Sequence, residues 1–564
     1  MRPLTAAEIH ALEANRCRAA DWSRTRVAAD FSPARIFNAA FRGDNEIGAF
    51  HSPQSGLENA TLTNCRVADN AQIRDSYLEN YAVGENVKIG GGAQLAHDGK
   101  SGNGEVATVL RETGGYEIIL HAELIAPLVW LECFASYDDA SRARWRRTTA
   151  AVKKSAAGII GANAQIVGGL LTNVAVGAGA SIIGATKIQN GTINGAVGAG
   201  AIISRSVVAA GGYVGDGCQV EKCFVADGAI LDRGFHADNS LFFADCDFQR
   251  GESSALFAAP FAVSHHQPSL LIAAAWSFGN AGSGANFSNH RYKLGPRHYG
   301  VFERGVKFGS NASILLPARI GMFTTVVGKH YAPLDTADFP FSLLVEENGQ
   351  SVLLPGANLF SVGVERDNQK WRDRDRRRDK TRQLFHGEVW TPLTAGKIQT
   401  ALDRLQNPAA LNLSAGKIPA AYVATARRNY QMALDFYLGE TLAKNAAARD
   451  VPDKNAPDDW LDVGGVIAPR RKIAHWLARF RRDEFADYAE MTAAIDEIYH
   501  GFADDEMAWA KRQLQITNYE TAKKFRAEKL ARDRAKEFAA PMKIGYDVYD
   551  ADRAANFAYI NRDA

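Results

Sequence analysis

The chain has 564 residues, of which 46% are hydrophobic and 23% charged, and its formal net charge is +2 at pH 7. This length exceeds one compact core, so we expect two or more structural units, and the weak charge excludes a global attraction to nucleic acid. No stretch approaches the roughly 20 apolar residues of a membrane span. The N-terminus lacks the apolar core of a signal peptide and the six cysteines show no CxxC spacing, so we expect a cytoplasmic protein with reduced thiols.

Residues 1–30 are predicted to form an N-terminal helical cap, and residues 31–99 the first part of a β-helix. In the second segment, aliphatic residues recur at near-hexapeptide intervals with short polar runs between them. These residues are Ile36, Ile47, Val67, Ile73, Val83 and Ile89. Residues 100–155 break the pattern and are predicted to be an insertion, with a β-hairpin around Gly114-Gly115 followed by a helix or helix pair.

The repeat is clearest in residues 156–360, the predicted second part of the β-helix. IGANA begins at Ile160, VGAGA at Val176 and again at Val197, and VGDGC at Val214. Successive starts average about 18 residues apart, which is three hexapeptides, and a second aliphatic residue follows six residues after each start. Each hexapeptide would give one short strand and one corner, with the aliphatic side chain pointing inward and a small residue at the crowded corner. The repeat weakens after about Asp247, so residues 248–360 are predicted to be the last coils with long excursions.

Residues 361–390 form a predicted charged connector, and residues 391–564 a predicted helical region. The basic stretch from Glu365 to Arg382 has acidic residues throughout, which favours a salt-bridged surface segment or a subunit contact over nucleic-acid binding. Farther on, Ile473, Leu477 and Phe480 fall on one helix face.

The segment 264–331 is the candidate site, because it holds five of the 13 histidines among many asparagines and cations. A histidine can act as a general base near neutral pH, and cations could bind phosphate. We predict that three histidines share one cleft as catalytic residues, namely His290, His298 and His330. The predicted substrate-binding residues around them are Asn289, Tyr292, Lys293, Arg297, Glu303 and Arg304. We expect no metal, because carboxylate or cysteine ligands are not obviously paired with the histidines.

The coils resemble the left-handed parallel β-helix superfamily, which is typified by trimeric acyltransferases that act on sugar nucleotides. The segment NHRYKLG at Asn289 resembles the element that carries the catalytic histidine of bacterial N-acetylglucosamine-1-phosphate uridyltransferases, which would make His290 the base. Most of the chain is similar to a bacterial hexapeptide-repeat family labelled similar to UDP-N-acetylglucosamine pyrophosphorylase. The segments that carry this likeness are LTAAEIHALEANRC, VLRETGGYE, SNHRYKLGPRHYGVFERG, LLPARIGMFTTVVGKHY and FPFSLL. The glycine-rich nucleotide loop of a pyrophosphorylase is missing from this N-terminus.

The resemblance implies a left-handed β-helix with an inserted hairpin and helices and a helical C-terminal region. It favours an enzyme, a hexapeptide-class transferase that moves an acyl group from acyl-CoA to a sugar nucleotide or sugar-like acceptor. The alternative is a noncatalytic sugar-nucleotide binding or assembly protein, and a third hypothesis is a histidine-metal hydro-lyase. We expect a small sugar or nucleotide-sugar ligand, no permanently bound cofactor, and a homotrimer.

Overall fold

A parallel β-solenoid forms the body of the protein, and a largely helical region follows it. The computed structural model describes residues 1–99, 101–152, 158–289, 295–407, 413, 416–444 and 456–536. Each turn of the solenoid adds one strand to each of three long sheets, so strands far apart in sequence stack in register. The prediction of a mainly β parallel coil followed by a helical C-terminal region is confirmed.

Sheet 1 has 16 strands. They are Arg2–Pro3, Thr25–Val27, Asn45–Ile47, Arg66–Val67, Ala82–Val83, Ile159–Ile160, Ala175–Val176, Thr192–Ile193, Val207–Val208, Phe224–Val225, Leu241–Phe242, Phe257–Ala258, Ala274–Trp276, Gly300–Phe302, Ala318–Ile320 and Leu334–Asp335. Sheet 2 has 15 strands. They are Arg18–Ala19, Ala40–Arg42, Thr61–Thr63, Tyr77–Glu79, Gln94–Ala96, Leu170–Thr172, Lys187–Gln189, Ile202–Ser204, Gln219–Glu221, His236–Asp238, Glu252–Ser254, Leu270–Ile272, Asn286–Ser288, Ser313–Leu315 and Lys329–His330.

Sheet 3 contains an antiparallel pair near its C-terminal end, Leu343–Glu347 with Gln350–Leu354, and a last strand that pairs parallel to the second of these. Its strands are Ile36–Phe37, Gly56–Glu58, Gln72–Arg74, Lys88–Gly90, Gln165–Val167, Ser181–Ile183, Ala196–Val197, Tyr213–Val214, Ile230–Asp232, Asp247–Gln249, Val263–Ser264, Asn280–Ala281, Lys307–Phe308, Thr325–Val327, Leu343–Glu347, Gln350–Leu354 and Gly416–Lys417.

The aliphatic residues of the repeat point into the solenoid, as predicted. Val83, Ile160 and Val176 stack in sheet 1, and Val197 and Val214 stack in sheet 3. All five are at most 3% exposed. The longer spacing between the VGAGA copies therefore has a simple cause, because the motif moves from one face of the coil to the next.

Small residues and asparagines make the corners possible. A Cβ atom on Gly161 would lie only 2.4 Å from the backbone nitrogen of Ala178 in the next turn, so stacked corners exclude larger side chains there. Other corners use asparagine in the left-handed region, as at Asn64 (φ +52°) and Asn80 (φ +59°). Their side chains form a ladder, since Asn64 Nδ2 donates to Asn80 Oδ1 at 3.2 Å.

The solenoid begins earlier than the predicted boundary at residue 31. Helix α1 (Ala6–Ala14) is short, and the strands at Arg18–Ala19 and Thr25–Val27 already pair with sheets 2 and 1. At its other end the coil stays regular well beyond Asp247, but its inward residues become aromatic, for example Phe248, Trp276 and Phe287. That change of residue type, and not a loss of strands, explains why the aliphatic repeat fades.

The insertion leaves the solenoid without disturbing its register, because Val83 pairs directly with Ile160. It contains an antiparallel hairpin (Val106–Val109 and Tyr116–Ile119), helix α2 (Ala126–Ala135) and helix α3 (Asp139–Thr148). These elements pack with the C-terminal helices against the outer side of sheet 1. A second hydrophobic core forms there around outward residues that include Val207, Phe224, Leu241 and Phe257.

The region after the solenoid contains helices and one buried hairpin. The helices are α4 (Val362–Asp373), α5 (Pro392–Arg404), α6 (Ala420–Lys444), α7 (Arg470–Arg481), α8 (Tyr488–His500) and α9 (Phe502–Arg512), and residues 519–536 are also helical. The C-terminal hairpin (Trp460–Val463 and Val466–Pro469) lies within the predicted helical region. Its second strand is fully buried, and its turn is the pair Gly464-Gly465. Among the described helices, none is long and apolar enough to cross a membrane.

Candidate functional site

A cavity of about 510 Å³ lies at the junction between the solenoid and the C-terminal region. We call it the junction cavity. Its floor is the sheet 1 strand Gly300–Phe302 and the turn that follows, and its walls come from helix α5 and the C-terminal hairpin. Trp130 of α2 and Trp509 of α9 also contribute to the lining. Ligand sites commonly occupy clefts of this size between structural units.

Arg304 joins the floor of the junction cavity to the wall that the C-terminal hairpin forms. Its Nε donates to Asp462 Oδ2 at 2.9 Å and its Nη2 donates to the carbonyl of Gly465 at 2.8 Å, both in the C-terminal hairpin. Its Nη1 donates to the carbonyl of His386, and its guanidinium lies 4.1 Å from the ring centroid of Phe278. The side chain is completely buried and all its contacts are internal, so it holds the cavity in shape.

Glu303 lies beside Arg304 and forms salt bridges with two cationic side chains through one of its oxygens. Arg319 Nη2 and Lys397 Nζ lie 2.9 Å and 3.1 Å from Glu303 Oε1. The other oxygen, Oε2, is buried and accepts no hydrogen bond from any residue that the structure describes. A buried carboxylate oxygen without a donor is costly in a folded protein, so a bound hydrogen-bond donor would stabilise it.

Trp460 presents the complementary group, a donor. The side chain is 3% exposed and lines the junction cavity, and its Nε1 hydrogen has no acceptor within the described ranges. Trp276 also lines the cavity, but its Nε1 donates to the Val306 carbonyl at 2.9 Å. A buried indole N–H normally finds a partner, so Trp460 has a donor at the cavity that no described residue uses, and Trp390 Nε1 is a second such donor outside the cavity lining.

Helix α5 turns a glycine toward this space. A Cβ atom built on Gly396 meets no atom within 4 Å, and the residue lines the cavity together with Lys397 and Thr400. The helix begins at Pro392, and the side chain of the preceding N-cap residue, Thr391, accepts the backbone N–H of Thr394. A glycine inside a helix lowers its stability by about 1 kcal/mol relative to alanine, so its open face is a notable feature of the site.

The charges of the cavity are paired within the protein. Each of its four cationic side chains has a carboxylate partner: Arg304 with Asp462, Arg319 and Lys397 with Glu303, and Arg470 with Asp459 at 2.5 Å. Two further carboxylates of the lining pair with cations outside it, Asp338 with Arg404 and Asp458 with Arg512. The exposed carboxylate of Asp403 also lines the cavity.

The predicted site residues are dispersed. Glu303 and Arg304 follow the strand Gly300–Phe302 and line the junction cavity, whereas Arg297 and His298 precede the same strand. His290, Tyr292 and Lys293 lie outside the described residues. Asn289 is fully buried at the edge of that gap, and its Nδ2 donates to the carbonyl of Pro296 at 3.3 Å.

The segment that contains His298 meets the inserted hairpin. The Arg111 guanidinium lies 5.4 Å from the ring centroid of Tyr116 and 5.2 Å from that of Tyr299, so the two rings hold one cation. Burial and the neighbouring Tyr299 raise the pKa of Tyr116 to about 12. Two of the segments that carry the family resemblance are thus in contact through these three side chains.

His330 lies inside the solenoid instead of in the predicted cleft. It is 1% exposed and pairs with the inward residue Ile314 of sheet 2. Its Nδ1 lies 2.8 Å from Ser351 Oγ and its Nε2 3.3 Å from the Val327 carbonyl. Burial lowers the pKa of His330, which keeps the ring neutral. The prediction for His330 was wrong because the sequence does not indicate which face of a two-residue strand a histidine occupies.

The sequence analysis missed Trp460, Asp462, Lys397 and Gly396. A signal for Trp460 and Asp462 was present, since the short apolar run after Asp462 contains a Gly-Gly turn and so predicts a β-hairpin there. In the described ranges, no group of three or more histidine, cysteine, aspartate or glutamate side chains is placed to hold a metal ion.

Comparison with known proteins shows sequence similarity over most of the chain. Residues 1–409 match the family described as domain of unknown function DUF4954. The chain belongs to the DUF4954 family. Residues 445–533, which include the C-terminal hairpin, match a second domain of unknown function, DUF6819. The junction cavity of this DUF4954 protein therefore takes its floor from one family segment and a wall from the other.

A protein of Treponema pallidum (strain Nichols), described as an uncharacterized protein, is similar to this chain. The two are 22% identical over 641 residues, which cover 96% of this chain and 88% of the relative. The similarity thus extends through both family segments.

Proposed function

We propose that this DUF4954 protein binds a small polar organic molecule in the junction cavity. The observation that carries this proposal is the pair of buried groups on its lining, the Trp460 Nε1 donor and the Glu303 Oε2 acceptor, neither of which is satisfied by the described chain. A ligand that offers both a donor and an acceptor would satisfy them together. Arg304 is buried and fastens the C-terminal hairpin to the floor of the cavity, which preorganises that side of the site and lowers the entropic cost of binding.

The test is a thermal-shift screen of the full chain against a panel of neutral, anionic and cationic metabolites. A ligand that binds only the folded state raises the melting temperature. At a concentration 100 times its Kd, it adds about 2.7 kcal/mol to the free energy of unfolding. Each hit is then measured by calorimetry on two variants of helix α5, Gly396→Leu and Gly396→Ala. Because a side chain at this position enters open space, both variants should fold, and leucine fills more of the cavity than alanine.

The proposal expects binding to be lost in Gly396→Leu and largely kept in Gly396→Ala. Trp460→Phe should weaken binding at least about tenfold, because it removes the free donor. The matched control is Trp276→Phe, which deletes an indole N–H that is already used by Val306. If every hit binds Gly396→Leu as tightly as the natural protein, the cavity is not the site and the proposal is wrong.

Acyl transfer remains a separate proposal. It rests on the resemblance to left-handed hexapeptide-repeat transferases, with acyl-CoA as donor and a sugar or sugar nucleotide as acceptor. Its predicted base, His290, lies outside the described residues. The expected result is release of free thiol from acetyl-CoA when an acceptor is added, and a turnover about 10²–10⁴-fold lower in His290→Ala. Unchanged turnover in that variant would remove His290 from the mechanism.

A further inference from the structure

Resting on the proposed function, we infer that the ligand of the junction cavity is a neutral polyhydroxylated compound of the sugar type, without a phosphate group. The inference names the class of ligand from the electrostatics and the shape of the lining.

The first argument is charge. A phosphate group is normally bound by cations that have no carboxylate of their own, or by a cluster whose net charge is positive. Here Arg304 and Arg470 each have a carboxylate partner, whereas Arg319 and Lys397 share Glu303, which gives those three side chains a net charge of +1. The whole lining, however, carries six carboxylates against four cations. A phosphate would compete with the carboxylates that pair with these cations, and the excess of negative charge, which includes Asp403, would repel it. A neutral ligand avoids both costs.

The second argument is hydrogen bonding. A hydroxyl group can donate and accept, so it can satisfy Glu303 Oε2 through one hydroxyl and Trp460 Nε1 through another. Thr400 adds a hydroxyl whose hydrogen goes to the Gly396 carbonyl at 3.1 Å, which leaves its lone pairs to accept. A ligand with several hydroxyls fits this mixture of donors and acceptors better than an apolar one.

The third argument is the aromatic content of the lining. Trp130 is only partly buried and lines the cavity, where its ring is held 5.3 Å from Phe134. Sugar rings combine an apolar C–H face with hydroxyls at their edge. Aromatic side chains accommodate the face while polar groups bind the edge, and the junction cavity offers both on neighbouring walls.

The experiment uses three compounds that share one ring and differ in charge: N-acetylglucosamine, glucosamine and N-acetylglucosamine 1-phosphate. Their affinities for the full chain are measured by calorimetry, with saturation-transfer NMR for weak binding, and each is repeated on Gly396→Leu. We expect the neutral sugar to bind at least about tenfold tighter than the phosphate, with loss of binding in Gly396→Leu. Glu303→Gln removes the carboxylate shared by Arg319 and Lys397, so it should raise the affinity for the phosphate several-fold.

The outcomes separate the two proposals. Tighter binding of the phosphate than of the neutral sugar, with loss in Gly396→Leu, would overturn the neutral-ligand inference and leave the proposed function intact. Tightest binding of glucosamine would likewise overturn only the inference. If none of the three binds but another member of the metabolite panel binds in a manner that Gly396→Leu abolishes, the sugar class is wrong and the cavity is still the site. If nothing binds in that manner, both proposals fail.

Discussion

Arg304 Nε and Asp462 Oδ2 lie 2.9 Å apart and join the last turns of the solenoid to the C-terminal hairpin across 158 residues of sequence. The arginine is completely buried and the aspartate side chain is 19% exposed. Since an unpaired charge in such a place is costly, each residue depends on the other. The pair also forms one side of the junction cavity, so the stability of the interface and the shape of the site are linked.

Replacement of Arg304 by methionine should lower the free energy of unfolding by about 3–5 kcal/mol, because it strands a largely buried carboxylate. The loss should be local first, so amide hydrogen exchange should accelerate in the strands of the C-terminal hairpin before it does in the solenoid. The control is Arg319→Met, whose half-exposed ion pair contributes about 0–1 kcal/mol. Equal effects of the two variants would contradict the role assigned to Arg304.

His386 predicts a loss of stability in acid. Its Nδ1 accepts the backbone N–H of Ile467 at 3.0 Å, and burial, with a smaller effect of the nearby Arg304, lowers its pKa to about 3. The unfolded chain takes up this proton near pH 6.5. Between about pH 6.5 and 3 the unfolded state therefore binds more protons, and stability falls as the pH falls.

The expected contribution of His386 is up to about 1.4 kcal/mol for each pH unit in that window. Denaturant titrations of His386→Gln at a series of pH values should show a shallower slope by that amount. His121, whose pKa burial also lowers to about 3, keeps its own share of the slope. The control for histidine replacement as such is His10→Gln, at an exposed position. A steep slope that persists in His386→Gln would show that other groups cause it.

The fold could be predicted because its information is local. Ile160 and Ile166 occupy successive inward positions six residues apart, and the same interval repeats in every clear copy of the motif. Each inward residue stacks on its equivalent in the next turn, so a pattern read along the chain becomes a column in space. The pattern fails only where the interior becomes aromatic, as at Phe248, because packing there accepts a different residue type.

The site could be predicted only in part, because it depends on contacts between distant segments. Glu303 and Arg304 stood out through their polar surroundings in the sequence, but nothing in the local pattern indicates that Lys397 or Trp460 lies opposite them. His330 illustrates the converse problem. Its residue type suggests chemistry, whereas its register places it in the core beside Ser351.

Hydrogen bonds should hold the charged connector against the solenoid. Both carboxylate oxygens of Asp227 accept backbone N–H groups of the connector, from Arg378 at 3.0 Å and from Asp379 at 2.9 Å. Arg376 Nη2 donates to the Asp245 carbonyl at 3.0 Å in the next turn. The arginines thus serve internal contacts, which supports the interpretation of this stretch as a salt-bridged segment.

Asp227→Asn should weaken the attachment of the connector to the solenoid, because an amide offers one acceptor oxygen where two are needed. We expect a loss of about 1–3 kcal/mol in local stability and faster trypsin cleavage between residues 374 and 382. Asp98→Asn, at an exposed position elsewhere on the solenoid, is the control. Unaltered cleavage kinetics in Asp227→Asn would mean that the connector is held by other contacts.

The predicted homotrimer has a candidate interface at the corner between sheets 3 and 2. Val167 and Ile183 are neighbours at the ends of paired strands, and they are 36% and 39% exposed. Leu170 and Ile202, at the starts of sheet 2 strands, are 45% and 39% exposed. These four exposed aliphatic side chains lie along one corner, with the exposed Lys187 between Leu170 and Ile202. Clusters of exposed aliphatic side chains are often covered by another chain.

If this corner joins the chains, Ile183→Lys combined with Ile202→Lys should place charges in the interface and dissociate the trimer. The molar mass that light scattering measures for the eluting protein should then fall from three times the chain mass of 61.2 kDa to one chain mass. The control is Val327→Lys, which exchanges a residue of similar exposure (44%) near the C-terminal end of the solenoid. A natural protein that elutes as a monomer at micromolar concentration would make the trimer prediction wrong. A trimer that survives both lysines would instead place the interface on a different face, because two buried ammonium groups per chain would cost several kcal/mol each.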